Sequence, residues 1–80
     1  MEFEWDEAKR HANFNKHDVD VFVAALIFER RTISTEDRRH DYGEVRHKSI
    51  GMVDDVCYVV IHTERSGIIR AHFCLRRRSP

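Results

Sequence analysis

The chain has 80 residues, of which 41% are hydrophobic and 35% are charged. This length predicts one domain, residues 1–80, with a small core and modest stability. The sequence has no apolar run of about 18 residues, the length that a membrane span needs. Its acidic N-terminus lacks the basic and apolar regions of a signal peptide. A cytoplasmic protein without membrane contact is therefore predicted.

The formal net charge is zero, but the charged side chains are unevenly distributed. Residues 1–20 carry three basic and six acidic side chains, whereas residues 64–80 carry five basic and one acidic. One face of the protein is therefore expected to be basic and able to meet phosphate. A soluble surface of mixed charge is the alternative that the charges leave open.

The first part of the chain predicts a short strand and two helices. Phe3–Trp5 alternates apolar with polar residues, as in a strand. A helix is predicted over Glu7–Lys16, with Ala8 and Ala12 as a narrow apolar stripe for close packing. A second helix is predicted over Val19–Phe28, because apolar residues recur there at helical spacing and form one broad face. The residues of that face are Val19, Phe22, Val23, Leu26 and Ile27.

The rest of the chain predicts a sheet. Val56–Thr63 is the longest β-favouring apolar run, and its lack of alternation predicts a central strand covered on both faces. Further strands are predicted at Arg31–Thr35, Glu44–Val53 and Ile68–Leu75, with antiparallel pairing where the connections are short. Turns are predicted at Asp41–Gly43, Asp54–Asp55 and Ser66–Gly67. The predicted fold class is α+β: a short N-terminal strand, two helices, and a mainly antiparallel sheet of about four strands.

The last of these turns has two residues and therefore fixes the register of the final hairpin. That register places Cys74 opposite Val59 and His72 opposite Ile61. Cys57 is then not opposite Cys74, so no disulfide is predicted. The six histidines do not have the spacing of metal ligands. No metal site and no cofactor are predicted.

Basic side chains near a few carboxylates suit RNA cleavage without a cofactor. This reaction needs a base for the 2′-hydroxyl, cations for the charge on phosphorus, and an acid for the leaving oxygen. The candidate catalytic residues are His17, Glu44, Arg46, Arg65 and Arg70, and the candidate RNA-binding residues are Lys16, Lys48, Arg76 and Arg77. The same side chains on a non-catalytic surface are the alternative.

Three blocks of the sequence, in order along the chain, carry a family resemblance. The first is Phe3–Lys9 with Asn13 and Lys16–His17. The second is Tyr42–Arg46 with Ile50–Gly51. The third is Val59–Val60, Thr63, Arg65, Arg70 and Leu75–Arg77. Together these blocks cover nearly the whole chain and resemble the BrnT family of bacterial toxins.

The resemblance implies a RelE-like fold and a ribonuclease activity that blocks translation. It also implies a BrnA-type ribbon-helix-helix antitoxin, through which the complex would bind operator DNA. Asp18 stands where the family usually has glycine, but aspartate can adopt the left-handed conformation. The family usually continues into a basic C-terminal helix, which residues 1–80 are expected to lack. Two alternative functions stay open, a non-catalytic co-repressor and an inactive remnant that sequesters antitoxin.

Overall fold

A computed structural model describes residues 2–38 and 43–77. The elements are β1 (Glu2–Trp5), α1 (Glu7–His17), α2 (Val23–Phe28), β2 (Thr32–Asp37), β3 (Arg46–Val53), β4 (Val56–Arg65) and β5 (Ile68–Arg76). The strands form one five-stranded sheet in the order β1-β5-β4-β3-β2. The pairs from β2 to β5 are antiparallel, and β1 joins β5 in parallel. The predicted α+β class is confirmed. None of the described helices is long and apolar enough to cross a membrane.

β4 is the central strand, as its unbroken apolar run predicts. Val60 and Ile61 point to opposite faces of the sheet, because side chains alternate along a strand, and both are 0% exposed. Val60 lies on the helix face, in a core with Ala24 and Ile27 of α2. α2 packs closely there because Gly51 of β3 has no Cβ to collide with Ile27. We call the side to which Ile61 points the open face.

α1 is held to the sheet by a polar side chain, and the predicted alanine stripe is wrong. Ala8 and Ala12 are both exposed, whereas Asn13 is buried. The Asn13 side chain donates to the Cys74 carbonyl (2.9 Å) and accepts from the Cys74 N–H (3.0 Å). It also donates to the Val19 carbonyl (2.7 Å). The amide thus pairs with the backbone of β5 as another strand would, because buried peptide groups need partners.

The second helix begins at Val23 rather than at the predicted Val19. The Asp20 carboxylate accepts from the N–H of Phe22 (3.0 Å) and so stabilises a turn before the helix. Val19 is buried outside the helix, while Phe22 and Leu26 are 49% and 37% exposed. The predicted apolar face is therefore wrong in these two members. Phe22 precedes the helix, at its N-terminal cap.

Left-handed residues mark the corners of the fold. Asp18, at the C-terminal cap of α1, has φ 56° and ψ 34°, which confirms that aspartate serves at this corner. Asp54 and Asp55 have φ of 49° and 66° between β3 and β4. Ser66 and Gly67 have φ of 53° and 78° between β4 and β5. Two consecutive positive φ angles are typical of tight hairpin turns. Both predicted hairpin turns are confirmed, whereas the predicted turn at Asp41–Gly43 includes residues outside the described ranges.

A β-bulge in β5 changes the predicted register of the final hairpin. The observed pairs are Ile61–Phe73 and Val60–Cys74, in place of the predicted Ile61–His72 and Val59–Cys74. The register shifts between Ile61 and His62, because β5 has one residue more than β4 across this point. His72 is that extra residue, and its ring reaches the open face, where it contacts Thr63. Cys57 and Cys74 are free thiols.

Candidate active site

A cluster of polar side chains lies at one end of the open face. Glu44 comes shortly before β3, and its Oε2 accepts from Arg46 Nε at 3.3 Å. On β5, Arg70 Nη1 donates to Glu4 Oε1 of β1 at 3.2 Å. Thr63 of β4 lies directly opposite Arg70. The lining of a depression of about 310 Å³ includes Glu4, Glu44, Thr63, Arg65 and Arg70. We call these five residues and Arg46 the polar cluster.

His72 completes the polar cluster, although sequence reasoning did not single it out. Its Nε2 lies 3.3 Å from Thr63 Oγ1 and 3.9 Å from Glu44 Oε2. The His72 side chain is only 6% exposed. Burial, and then the positive charges of Arg46 and Lys9, lower the pKa of His72 to about 4. The imidazole is therefore neutral at pH 7, with one of its two ring nitrogens unprotonated.

A groove of about 260 Å³ lies between α1 and the bulge of β5. Its helical wall is formed by Lys9, Ala12, Lys16 and His17, and its strand wall by His72 and Phe73. Asn13 also lines the groove. Each of these five helical residues has another of them three or four positions away, so they lie on one side of α1. The bonds of Asn13 to Cys74 hold that side against β5. Because His72 belongs to both, the groove and the polar cluster adjoin each other.

The structure brings together four of the five predicted catalytic residues. Glu44, Arg46, Arg65 and Arg70 all belong to the polar cluster. His17 lies instead in the groove, on the other side of His72. The end of α1 therefore reaches the edge of the candidate site without joining the cluster itself.

The predicted RNA-binding residues are more widely spread. Lys16 lines the groove, and Lys48 shares a face of β3 with Arg46, two residues away. Arg76 lies at the far end of β5 from Arg70, where its Nη2 donates to the Asp18 carbonyl at 3.1 Å. It thereby caps the C-terminal end of α1, a position that favours cations. Arg77 follows Arg76 and is exposed, so neither arginine adjoins the polar cluster.

A second buried histidine is separate from this site. His62 is 1% exposed and lies on the helix face, with its ring 4.9 Å from the ring of Phe28. Its Nε2 lies 2.7 Å from Ser49 Oγ, which in turn lies 2.6 Å from Ser34 Oγ. Burial lowers the pKa of His62 to about 4. This histidine is a hydrogen-bonded member of the core.

The sequence also matches a known protein family. The model of a protein family described as "Ribonuclease toxin, BrnT, of type II toxin-antitoxin system" matches residues 5–78. None of the curated proteins matches the chain. The matched range contains the whole groove and every member of the polar cluster except Glu4.

Proposed function

Because the chain belongs to the BrnT family of ribonuclease toxins of type II toxin–antitoxin systems, we propose that it cleaves RNA at the polar cluster. Such cleavage would block translation in the cytoplasm. The proposal rests on one observation, the position of a neutral, buried His72 beside Glu44 and Arg46, with Arg70 opposite Thr63. This set contains a proton acceptor and cations, which are the groups that RNA cleavage needs.

The roles follow from the chemistry of each side chain. The ribose 2′-oxygen attacks the adjacent phosphorus and forms a 2′,3′-cyclic phosphate, while the bond to the 5′-oxygen breaks. His72 or Glu44 accepts the 2′-hydroxyl proton. The guanidinium groups of Arg46 and Arg70 bind the non-bridging oxygens as negative charge develops there. His17 is the candidate that protonates the departing 5′-oxygen, since an imidazole serves as acid or base.

Purified protein incubated with a mixed RNA substrate tests this function. The expected products carry 2′,3′-cyclic phosphate and 5′-hydroxyl ends, and a substrate with 2′-deoxyribose at the cut position should stay intact. Products with 5′-phosphate ends would contradict attack by the 2′-oxygen. Intact RNA with and without ribosomes, together with no growth arrest on induction, would favour the non-catalytic co-repressor or the inactive remnant instead.

The family implies a protein antitoxin as partner, and we propose a BrnA-type ribbon-helix-helix protein that alone contacts operator DNA. The open face offers it an apolar surface: Ile33 and Met52 are 69% and 48% exposed. Lys48 and Arg46 share this face of β3, two and four residues before Ile50, which pairs with Ile33. A segment with apolar and acidic side chains would complement both features.

Ile33→Asp is therefore expected to weaken the toxin–antitoxin complex at least about tenfold, because it places a negative charge in the apolar part of the surface. The antitoxin should associate more slowly with the wild-type toxin as the salt concentration rises. Co-purification and binding kinetics measure both effects. Phe14→Asp, which changes a residue of α1 that is 52% exposed, is the control and should leave binding intact. Recovery of toxin alone from cells that co-express both proteins would refute the pairing.

A further inference from the structure

We propose that the groove between α1 and β5 binds one nucleobase of single-stranded RNA and thereby selects the phosphodiester that is cut. This inference rests on the proposed ribonuclease function and names its substrate subsite. It assigns a role to Phe73 and Lys9, which neither the sequence patterns nor the polar cluster explain.

The size and the walls of the groove fit a single base. Its volume is about 260 Å³, just below the range of about 300–1,000 Å³ that is typical of drug-sized ligands. Ala12 of α1 and Phe73 of β5 belong to its two walls. Phe73 is half-buried and its backbone pairs with Ile61 of the central strand, so the sheet fixes the position from which its ring extends. Unpaired RNA bases commonly stack on aromatic side chains held in this way.

The charges around the groove suit the phosphates on either side of such a base. Lys9, Lys16 and His17 lie on its helical wall, and no carboxylate is among the described residues that line it. Lys9 and Lys16 are seven residues apart, which is a rise of about 10 Å along α1. The two lysines are therefore about two helical turns apart on this wall. Contacts of this kind position a nucleic-acid backbone, while the base contact supplies the selection.

The position of His72 connects this subsite to the reaction. Its ring lines the groove, while its Nε2 faces Thr63 and Glu44 in the polar cluster. A nucleotide whose base occupies the groove therefore has its own ribose and phosphate beside the cluster. The groove would accordingly set the base preference of cleavage, which is a property separate from the chemical step.

Ligands that cannot be cleaved test the subsite independently of catalysis. The full chain is titrated with each nucleoside 5′-monophosphate and with ribose 5-phosphate, and amide shifts are followed by nuclear magnetic resonance. We expect at least one nucleotide to shift the amides of residues 9–17 and 72–74. Ribose 5-phosphate at the same concentration should shift them much less, because it has no base. Equal shifts with both ligands would overturn the proposal.

Variants of Phe73 then separate stacking from charge. Phe73→Leu keeps an apolar side chain but removes the ring, and it should weaken binding of a 2′-O-methyl oligoribonucleotide about 10- to 100-fold. Phe73→Trp should restore that affinity. Leu75→Ala is the matched control, since Leu75 lies on the same strand and face but outside the groove. Thermal melting by circular dichroism verifies that each variant is folded.

Charge variants complete the test. Lys16→Ala should lower the affinity for the oligonucleotide and reduce the slope of log K against log salt by about one. Arg31→Ala, which removes an exposed cation just before β2, should do neither. If Lys16→Ala weakens binding but Phe73→Leu does not, the groove holds only backbone phosphate and the base subsite is refuted.

Two further results distinguish this inference from the proposed function. If the protein cuts no RNA while nucleotides still shift the groove amides, the subsite stands and the catalytic proposal fails alone. If no nucleotide shifts these amides while purified antitoxin does, the groove is a protein-docking surface and the inference is overturned.

Discussion

Arg46→Ala is expected to slow RNA cleavage by about 10²–10³-fold, the usual effect of removing one group that stabilises transition-state charge. Arg46 is suited to this role because its guanidinium stays charged and binds phosphate through two donors. It begins β3, next to the central strand, and Glu44 Oε2 accepts from its Nε at 3.3 Å. The cation is therefore held in position before the substrate arrives.

The test of Arg46→Ala must separate a loss of catalysis from a loss of folding, because the Arg46 side chain is only 17% exposed. Truncation to alanine removes packing as well as charge. Arg46→Lys keeps the charge and most of the stem but loses the planar fork that binds phosphate through two parallel hydrogen bonds, so it should fold normally and retain an intermediate rate. Arg46 pairs with Asp37 at the end of β2, whereas Arg31 comes just before the start of that strand. Arg31→Ala is therefore the matched control for loss of one positive charge. It should cleave like the unmodified protein.

The measurement is the initial rate of cleavage of a mixed RNA substrate, with circular dichroism to verify folding. If a folded Arg46→Ala variant cuts as fast as the unmodified protein, Arg46 is a structural charge. The reaction would then be assigned to the region of Arg65 and Arg70.

Val60→Asp is expected to unfold the protein or to destabilise it severely. Val60 is 0% exposed, lies between Ser49 and Cys74 on the central strand, and belongs to the core below α2. An unpaired charge at such a position costs several kcal/mol. The whole free energy of unfolding of a domain is about 5–15 kcal/mol, and an 80-residue core belongs at the low end.

Thermal unfolding followed by circular dichroism measures this effect. Val45→Asp is the matched control, since Val45 is 59% exposed and the same change there should alter the free energy of unfolding by no more than about 0.5 kcal/mol. A cooperative transition of Val60→Asp close to that of the unmodified protein would show that the core does not depend on this position.

The strands of the sheet could be predicted because their signals are local. The unbroken apolar run of β4 indicates burial on both faces, and two-residue turns bound by aspartate, serine and glycine determine antiparallel neighbours. The two-residue spacing of Glu44 and Arg46 in the predicted strand Glu44–Val53 likewise indicates that they share a face. Burial of individual helix residues was less predictable: Asn13, a polar residue, is the buried member of α1, because its amide pairs with the edge of a strand sixty-one residues away.

The sequence by itself determined the type and order of the helices and strands, the central place of Val56–Thr63 and the family resemblance, since each depends on residues close together or on a fixed order of motifs. Only the tertiary structure decided that His72 joins Thr63 and Glu44, and that His17 lies beside rather than within the polar cluster. The physical reason is the bulge in β5. One added residue shifts the register and changes the face to which a side chain points, and no local pattern in the sequence marks where that residue is inserted.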